Sequence, residues 1–240
     1  MRNIIVTGGS RGLGLGIAVR LRDAGYRVAV VARRTSDELN AESGIQFWPC
    51  DLADFDALPG LVKSIRGEIG PIFGLVNNAG IGTSGLLATM RSEEIERLVR
   101  LNTLSPMFLT KHVVRSMMAD GVKGKGGGRI VNMASIIAST GFSGLSVYAA
   151  TKASLVGFTK SLAREVGSLD ITVNAVAPGF VDTAMTEGMH DADRERVLRR
   201  SPLKRLAEIA DVANAVEYLM GDGARNVTAT VLTVDAGSTA

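Results

Sequence analysis

Tyr148 and Lys152 stand four positions apart in Val147-Tyr148-Ala149-Ala150-Thr151-Lys152, so a helix through this segment puts both side chains on one face. The chemistry such a pair offers is proton exchange. A free phenol titrates near pH 10, too high to trade protons efficiently near neutrality. An ammonium beside it favours the phenolate, and each unit of displacement is worth roughly 1.4 kcal/mol.

A second constellation is the glycine-rich run Thr7-Gly8-Gly9-Ser10-Arg11-Gly12-Leu13-Gly14. It follows a strand-like segment and opens a helix-like one, so its backbone N–H groups and the helix N-terminus can face a pyrophosphate. The spacing is not G-x-G-x-x-G, because reading from Gly12 and Gly14 puts Ile17 at the third glycine position; it is TGxxxGxG. Rossmann domains that bind NAD carry a carboxylate about 20 residues further on, bonded to the ribose hydroxyls. Here that place holds Arg33 and Arg34. Guanidinium groups suit a dianionic 2′-phosphate, and Arg11 can add a further cation, so NADP(H) is the predicted cofactor. Arg33 is preferred over Arg34 for the phosphate.

These residues need a frame. Short apolar runs at Asn3–Val6, Arg27–Val31, Ile45–Cys50, Phe73–Asn77, Arg129–Met133, Ile171–Val176 and Val231–Val234 alternate with helix-length amphipathic segments, the rhythm of a parallel sheet. Val28-Ala29-Val30-Val31 shows no polar alternation, so helices must cover both faces. The expectation is α/β: one Rossmann domain over residues 1–240, with a doubly wound, seven-stranded parallel sheet. Right-handed crossovers then gather the strands' C-terminal ends on one edge, where the chemistry belongs. Ser92, ahead of Glu93 and Glu94, is a candidate N-cap, and Gly25 a candidate C-cap. Pro106 is expected to kink or split the segment from Ser92 to Ala119. Gly121–Arg129 and the stretch from Pro178-Gly179 to Asp191 read as loops.

The motifs together resemble the short-chain dehydrogenase/reductase family, whose TGxxxGxG, NNAG and YxxxK are met by the glycine turn, by Asn77-Asn78-Ala79-Gly80 and by Tyr148 with Lys152. The resemblance covers most of the chain. It implies hydride transfer between NADP(H) and a carbonyl or alcohol, with Tyr148 as proton donor or acceptor and Lys152 also bonded to the nicotinamide ribose. Ser135, 13 residues before Tyr148, is implied to bond the substrate oxygen. Asn102, in Leu101-Asn102-Thr103, is implied to hold a water that relays protons to Lys152. Asp51 and Leu52 would frame the adenine; Asn78, Ala79 and Gly80 would border the cofactor. Pro178, Gly179 and Val181 would wall it, and Thr183 would contact the nicotinamide carboxamide or phosphates. A substrate lid is expected at about 180–200, where Met185 and Met189 could meet an apolar substrate or merely fill gaps.

Within the family, LVGFTKSLARE, ITVNAVAPGFVDTAM and PLKRLAEIADVANAVEYL resemble 3-oxoacyl-acyl-carrier-protein reductases. That implies a 3-oxoacyl thioester substrate on an acidic carrier protein, which the basic loop from Lys123 and Lys125 to Arg129 could steer. The chain departs from the pattern at Leu169-Asp170, where a basic residue usually precedes ITVN, and at Val227-Thr228-Ala229. The alternatives are an NADPH-dependent reductase of free ketones or quinones, and a catalytically silent NADP-sensing protein. The family also implies a homotetramer built through Val227–Ala240 and the helix of Tyr148.

Composition narrows the rest. With 46% hydrophobic and 21% charged residues and a net charge of +3 over 240 residues, the chain reads as globular rather than disordered. Its basic residues are scattered, which points away from nucleic acid. No apolar run approaches the roughly 20 residues of a membrane span. A lone Cys50 and no leader-like N-terminus suggest the cytoplasm. His112 and His190 lack partners at metal spacing. Cys50 has no evident base, and Trp48 reads as core or a hydrophobic edge.

Overall fold

The structure, a computed structural model, describes residues 1–119, 127–181, 195 and 198–240. Its seven strands are β1 (Asn3–Thr7), β2 (Arg27–Ala32), β3 (Ile45–Pro49), β4 (Ile72–Asn77), β5 (Arg129–Met133), β6 (Thr172–Pro178) and β7 (Val231–Val234). They form one all-parallel sheet in the order β3-β2-β1-β4-β5-β6-β7. The chain winds outward from β1 through β2 to β3, then returns to place β4 on the other side of β1. The C-terminal ends of β1 and β4 therefore flank the switch point, where open α/β sheets bind ligands.

The helices are α1 (Gly12–Asp23), α2 (Asp37–Asn40), α3 (Leu58–Ile69), α4 (Ser92–Val99), α5 (Ser105–Ala119), α6 (Ile137–Thr140), α7 (Ser146–Val166) and α8 (Ile209–Met220). Successive strand residues serve opposite faces. Ile4, Val6, Val28 and Val30 pack with α1 and α8, while Ile5, Ala29 and Val31 pack with α3, α5 and α7. All four residues of Val28–Val31 are fully buried, as the unbroken apolar run predicts. Pro49 ends β3, a sheet edge, where a missing N–H is tolerated.

Two boundaries differ from expectation in an informative way. Arg91, not Ser92, occupies the N-cap of α4 and no side chain caps it; Ser92 is the first helical residue, and Glu93 and Glu94 complement the first turn. The segment around Pro106 is split, as foreseen, but through a π-helical turn at Arg100–Leu104 that carries Asn102. Such turns open the regular ladder and redirect a side chain. Gly25, with φ +88°, follows α1 in the left-handed region as a C-terminal glycine should.

Arg129 corrects the sequence reading. Assigned there to a basic loop that meets a carrier, it opens β5 and is 2% exposed. Its guanidinium donates to the Gly128 carbonyl at 2.9 Å and lies 5.6 Å from the Phe73 ring centre. The first residue of a central strand is committed to the sheet and cannot reach a partner protein. Lys123 and Lys125 lie outside the described residues.

Candidate active site

Thr7 stitches the switch point together. Its hydroxyl donates to the Val76 carbonyl at 3.2 Å and accepts from the amides of Asn78 (2.9 Å) and Ala79 (3.0 Å). Asn78 returns the contact through its side-chain amide, which donates to the Thr7 carbonyl at 2.9 Å. The glycine turn and NNAG are thus one structure, joined across β1 and β4.

Close backbone packing demands glycine at Gly8 and Gly14 of this turn. A Cβ on Gly8, whose φ is +66°, would lie 2.8 Å from the Ala79 Cα; one on Gly14 would overlap the Gly8 carbonyl and the Asn78 amide. Gly12 differs. Its φ is +55° and nothing stands within 4 Å of a Cβ there, so it opens onto free space at the mouth of α1. No side chain caps α1 and no acid stands in its first turn, leaving the positive end of the helix free for an anion. Ser36, which caps α2 by accepting from the Leu39 amide at 3.1 Å, also donates to the Ser10 carbonyl, tying the turn to the segment after β2. Arg11, Arg33 and Arg34 are exposed, and none joins an ion pair among the described residues.

Tyr148 and Lys152 occupy the first turns of α7. Lys152 is 6% exposed, and its Nζ donates to the Met133 carbonyl at 2.8 Å and stands 5.8 Å from the Tyr148 ring centre. Burial draws its pKa down to about 8. Burial also pushes the Tyr148 phenol above its usual value, opposed by a hydrogen bond with Ser135. This departs from the simple expectation of a phenol lowered by its lysine. Desolvation penalises both charged forms, and the ammonium is engaged on a backbone carbonyl of β5. Burial thus favours the neutral phenol at Tyr148.

Ser135 lies just past β5, and its Oγ accepts from the Ile137 amide at 3.2 Å. Asn102, 1% exposed, is held on three sides. Its amide donates to the Ile81 carbonyl (2.8 Å) and to Thr151 Oγ1 (3.2 Å), and its Oδ1 accepts from the Ile81 amide (2.9 Å). Gly80 separates it from Lys152: a Cβ there would sit 3.2 Å from Asn102 Oδ1 and 3.5 Å from Lys152 Nζ. The π turn, the end of β5, α7 and NNAG thus bring Asn102, Ser135, Tyr148 and Lys152 to one edge of the sheet.

The remaining expected site residues vary in their setting. Leu52 is 5% exposed and packed in the core, whereas Asp51 is exposed and accepts from the Ala53 amide at 3.0 Å. The Pro178 carbonyl accepts from the Ile136 amide at 3.1 Å, and Gly179 packs on Asp235, where a Cβ would lie 2.7 Å from the aspartate Cβ. Val181, 6% exposed, bridges to Ala207. Thr183, Met185, Met189 and His190 lie outside the described residues, as does most of the expected lid. Sequence reading placed Thr7 in the glycine motif without a role and gave none to Thr151; both hold other site residues through hydrogen bonds across the fold, which no spacing in the chain announces.

His112 is half-buried, and burial with Lys111 and Arg115 nearby lowers its pKa. Burial raises the Cys50 thiol, as do Asp54 and Asp51. No cluster of potential metal ligands occurs among the described residues, and none of their helices is long and apolar enough to cross a membrane.

Residues 8–239 match a family model described as Enoyl-(Acyl carrier protein) reductase. The chain is 40% identical over 240 residues to the 3-oxoacyl-[acyl-carrier-protein] reductase FabG of Escherichia coli, covering 97% of this chain and 95% of that one. It is 34% identical over 244 residues to the protein of the same name in Staphylococcus aureus, covering 98% and 97%. A crystal structure described as a short-chain alcohol dehydrogenase from Sinorhizobium meliloti superposes with a TM-score of 0.90 at 32% identity, covering 99% and 96%.

The chain belongs to the short-chain dehydrogenase/reductase family. As a member it is an oxidoreductase acting on CH–OH or C=O groups with a nicotinamide cofactor. The residues present fit such a dinucleotide: the open space at Gly12, the uncapped start of α1 and the exposed Arg33 and Arg34 beyond β2, without an ion pair among the described residues, offer an anion a place.

Proposed function

We propose that this protein reduces a 3-oxoacyl thioester, on acyl carrier protein or CoA, to the 3-hydroxyacyl form with NADPH. The observation that carries the chemistry is Tyr148 beside Ser135 and a buried Lys152 on one sheet edge. The printed function of the relatives supports the substrate class. In this reading Gly8, Ser10, Arg11, Gly12, Leu13 and Gly14 hold the pyrophosphate, and Arg33 or Arg34 the 2′-phosphate. Asp51 and Leu52 frame the adenine; Asn78, Ala79, Gly80, Pro178, Gly179, Val181 and Thr183 line the rest.

The bound nicotinamide supplies the hydride. Tyr148 gives its proton to the substrate oxygen, and Ser135 donates a hydrogen bond to the same oxygen as negative charge develops there. Lys152 has three N–H bonds; one serves Met133, leaving donors for the nicotinamide ribose while its charge stabilises the phenolate that Tyr148 becomes. Asn102 aids reprotonation by holding a water near Lys152. We further propose a cytoplasmic homotetramer, with the carrier met by surface cations other than Arg129.

The test is NADPH oxidation with acetoacetyl carrier protein, acetoacetyl-CoA and a panel of simple ketones and quinones, repeated with NADH and with Tyr148→Phe. Thioester turnover preferring NADPH, abolished in the variant while NADPH still binds, is the expected result. Turnover of ketones or quinones alone would move the protein to the free-carbonyl reading, and activity retained by Tyr148→Phe would remove the assigned acid.

A further inference from the structure

Three loops at the C-terminal edge of the sheet present apolar side chains that proton transfer does not use. Phe142, 49% exposed, meets Phe180 edge to face, with ring centres 6.3 Å apart and planes at 67°. Both rings are tied to the catalytic residues through the backbone. Phe180 lies just beyond Pro178, whose carbonyl accepts from Ile136, the neighbour of Ser135. Phe142 closes a turn by accepting from the Leu145 amide at 3.0 Å, and Leu145 leads directly into the helix of Tyr148. The loop after β4 joins them: the Gly85 amide donates to the Gly144 carbonyl at 2.9 Å, and the next residues, Leu86 and Leu87, are 63% and 58% exposed.

We infer that Phe142 and Phe180, together with the exposed Leu86 and Leu87 of the loop tied to Gly144, form a subsite for the alkyl chain of the substrate, with Phe142 setting preference for medium-chain over short-chain 3-oxoacyl groups; this rests on the thioester reading above. The side chains are apolar and uncharged, so they offer nothing to an acidic protein surface. Together they expose on the order of 300–400 Å², about half of what one partner contributes to a standard protein interface. An unbranched chain running outward from a carbonyl at Tyr148 and Ser135 matches both that size and that polarity. Complete burial of a methylene is worth roughly fourfold in binding; a chain covered on one side gains about half that free energy, roughly twofold per methylene.

The experiment is kcat/KM with saturating NADPH for 3-oxoacyl-CoA thioesters of four to ten carbons, in the wild type, Phe142→Ser, Phe142→Leu and a control at a remote exposed methionine, Met118→Ser, accompanied by sedimentation. The wild type and the control should favour the ten-carbon thioester over the four-carbon one by on the order of 50-fold. Phe142→Ser should cut that ratio to below about tenfold, and Phe142→Leu should recover most of it. A flat wild-type profile, or a ratio that survives in Phe142→Ser, overturns the subsite. So does a Phe142→Ser protein that changes its assembly state while keeping the ratio, which would make the patch a subunit contact. Wild type that turns over no thioester of any length would instead refute the thioester reading itself, an outcome distinct from a flat profile.

Discussion

Burying Lys152 at 6% exposure taxes the charged form, and the tax has a measurable pH signature. Its pKa is about 8 in the fold against about 10.4 in an unfolded chain. Below pH 8 both states are protonated and the full desolvation cost is present. Between about 8 and 10.4 the unfolded chain binds more protons than the folded one, so stability rises with pH through that window. The relief amounts to about 3 kcal/mol. Chemical denaturation of Lys152→Met beside the wild type at pH 7, 8, 9 and 10 should show the variant's relative advantage shrinking as the wild type sheds this cost. A difference that stays constant with pH would show that Lys152 is not desolvated as described. Tyr148 shifts in the opposite direction, because the neutral form that burial favours is its protonated one. A neutral phenol is what the reductive direction requires of a proton donor.

At the scale of elements, the glycine turn and NNAG act as one unit through Thr7 and Asn78. Gly14→Ala would drive a methyl group into the Gly8 carbonyl and the Asn78 amide, atoms that cannot move without loosening β1 from β4. It should lower stability by about 1–3 kcal/mol and weaken nucleotide binding, read by denaturation and by NADPH fluorescence titration. Gly67 is the counter-case: it lies within α3 with nothing within 4 Å of its Cβ position. Gly67→Ala should stabilise by about 0.5–1 kcal/mol and leave nucleotide binding unaffected. Equal losses from the two substitutions would contradict the packing described. The π turn at Arg100–Leu104 shows the same interdependence, since it delivers Asn102 into bonds with Ile81 and Thr151 on two other elements.

For the whole molecule, the sheet leaves β7 as an edge strand, and its Val231, Leu232 and Val234 are only partly buried within one chain. A parallel sheet is ordinarily covered on both faces, and an open apolar edge invites pairing. The family resemblance implies a tetramer with Val227–Ala240 and α7 at its contacts, which an apolar edge there would suit and sedimentation should report. A monomer at micromolar concentration would refute this assembly.

The sequence by itself determined the strand and helix alternation, through unbroken apolar runs, and singled out the glycine turn and the pair Tyr148 and Lys152, through glycine spacing and a four-residue helical repeat; Asn102 and Ser135 were reached only through the family resemblance. Val28–Val31 had to lie in a doubly covered sheet for the same local reason. Only the tertiary structure decided how those residues meet. That Arg129 is buried beneath Phe73, that Lys152 bonds the Met133 carbonyl and that a π turn carries Asn102 follow from contacts between segments far apart in the chain. Charge and side-chain type say where a residue can go; desolvation and packing, which depend on every neighbouring element, settle where it does.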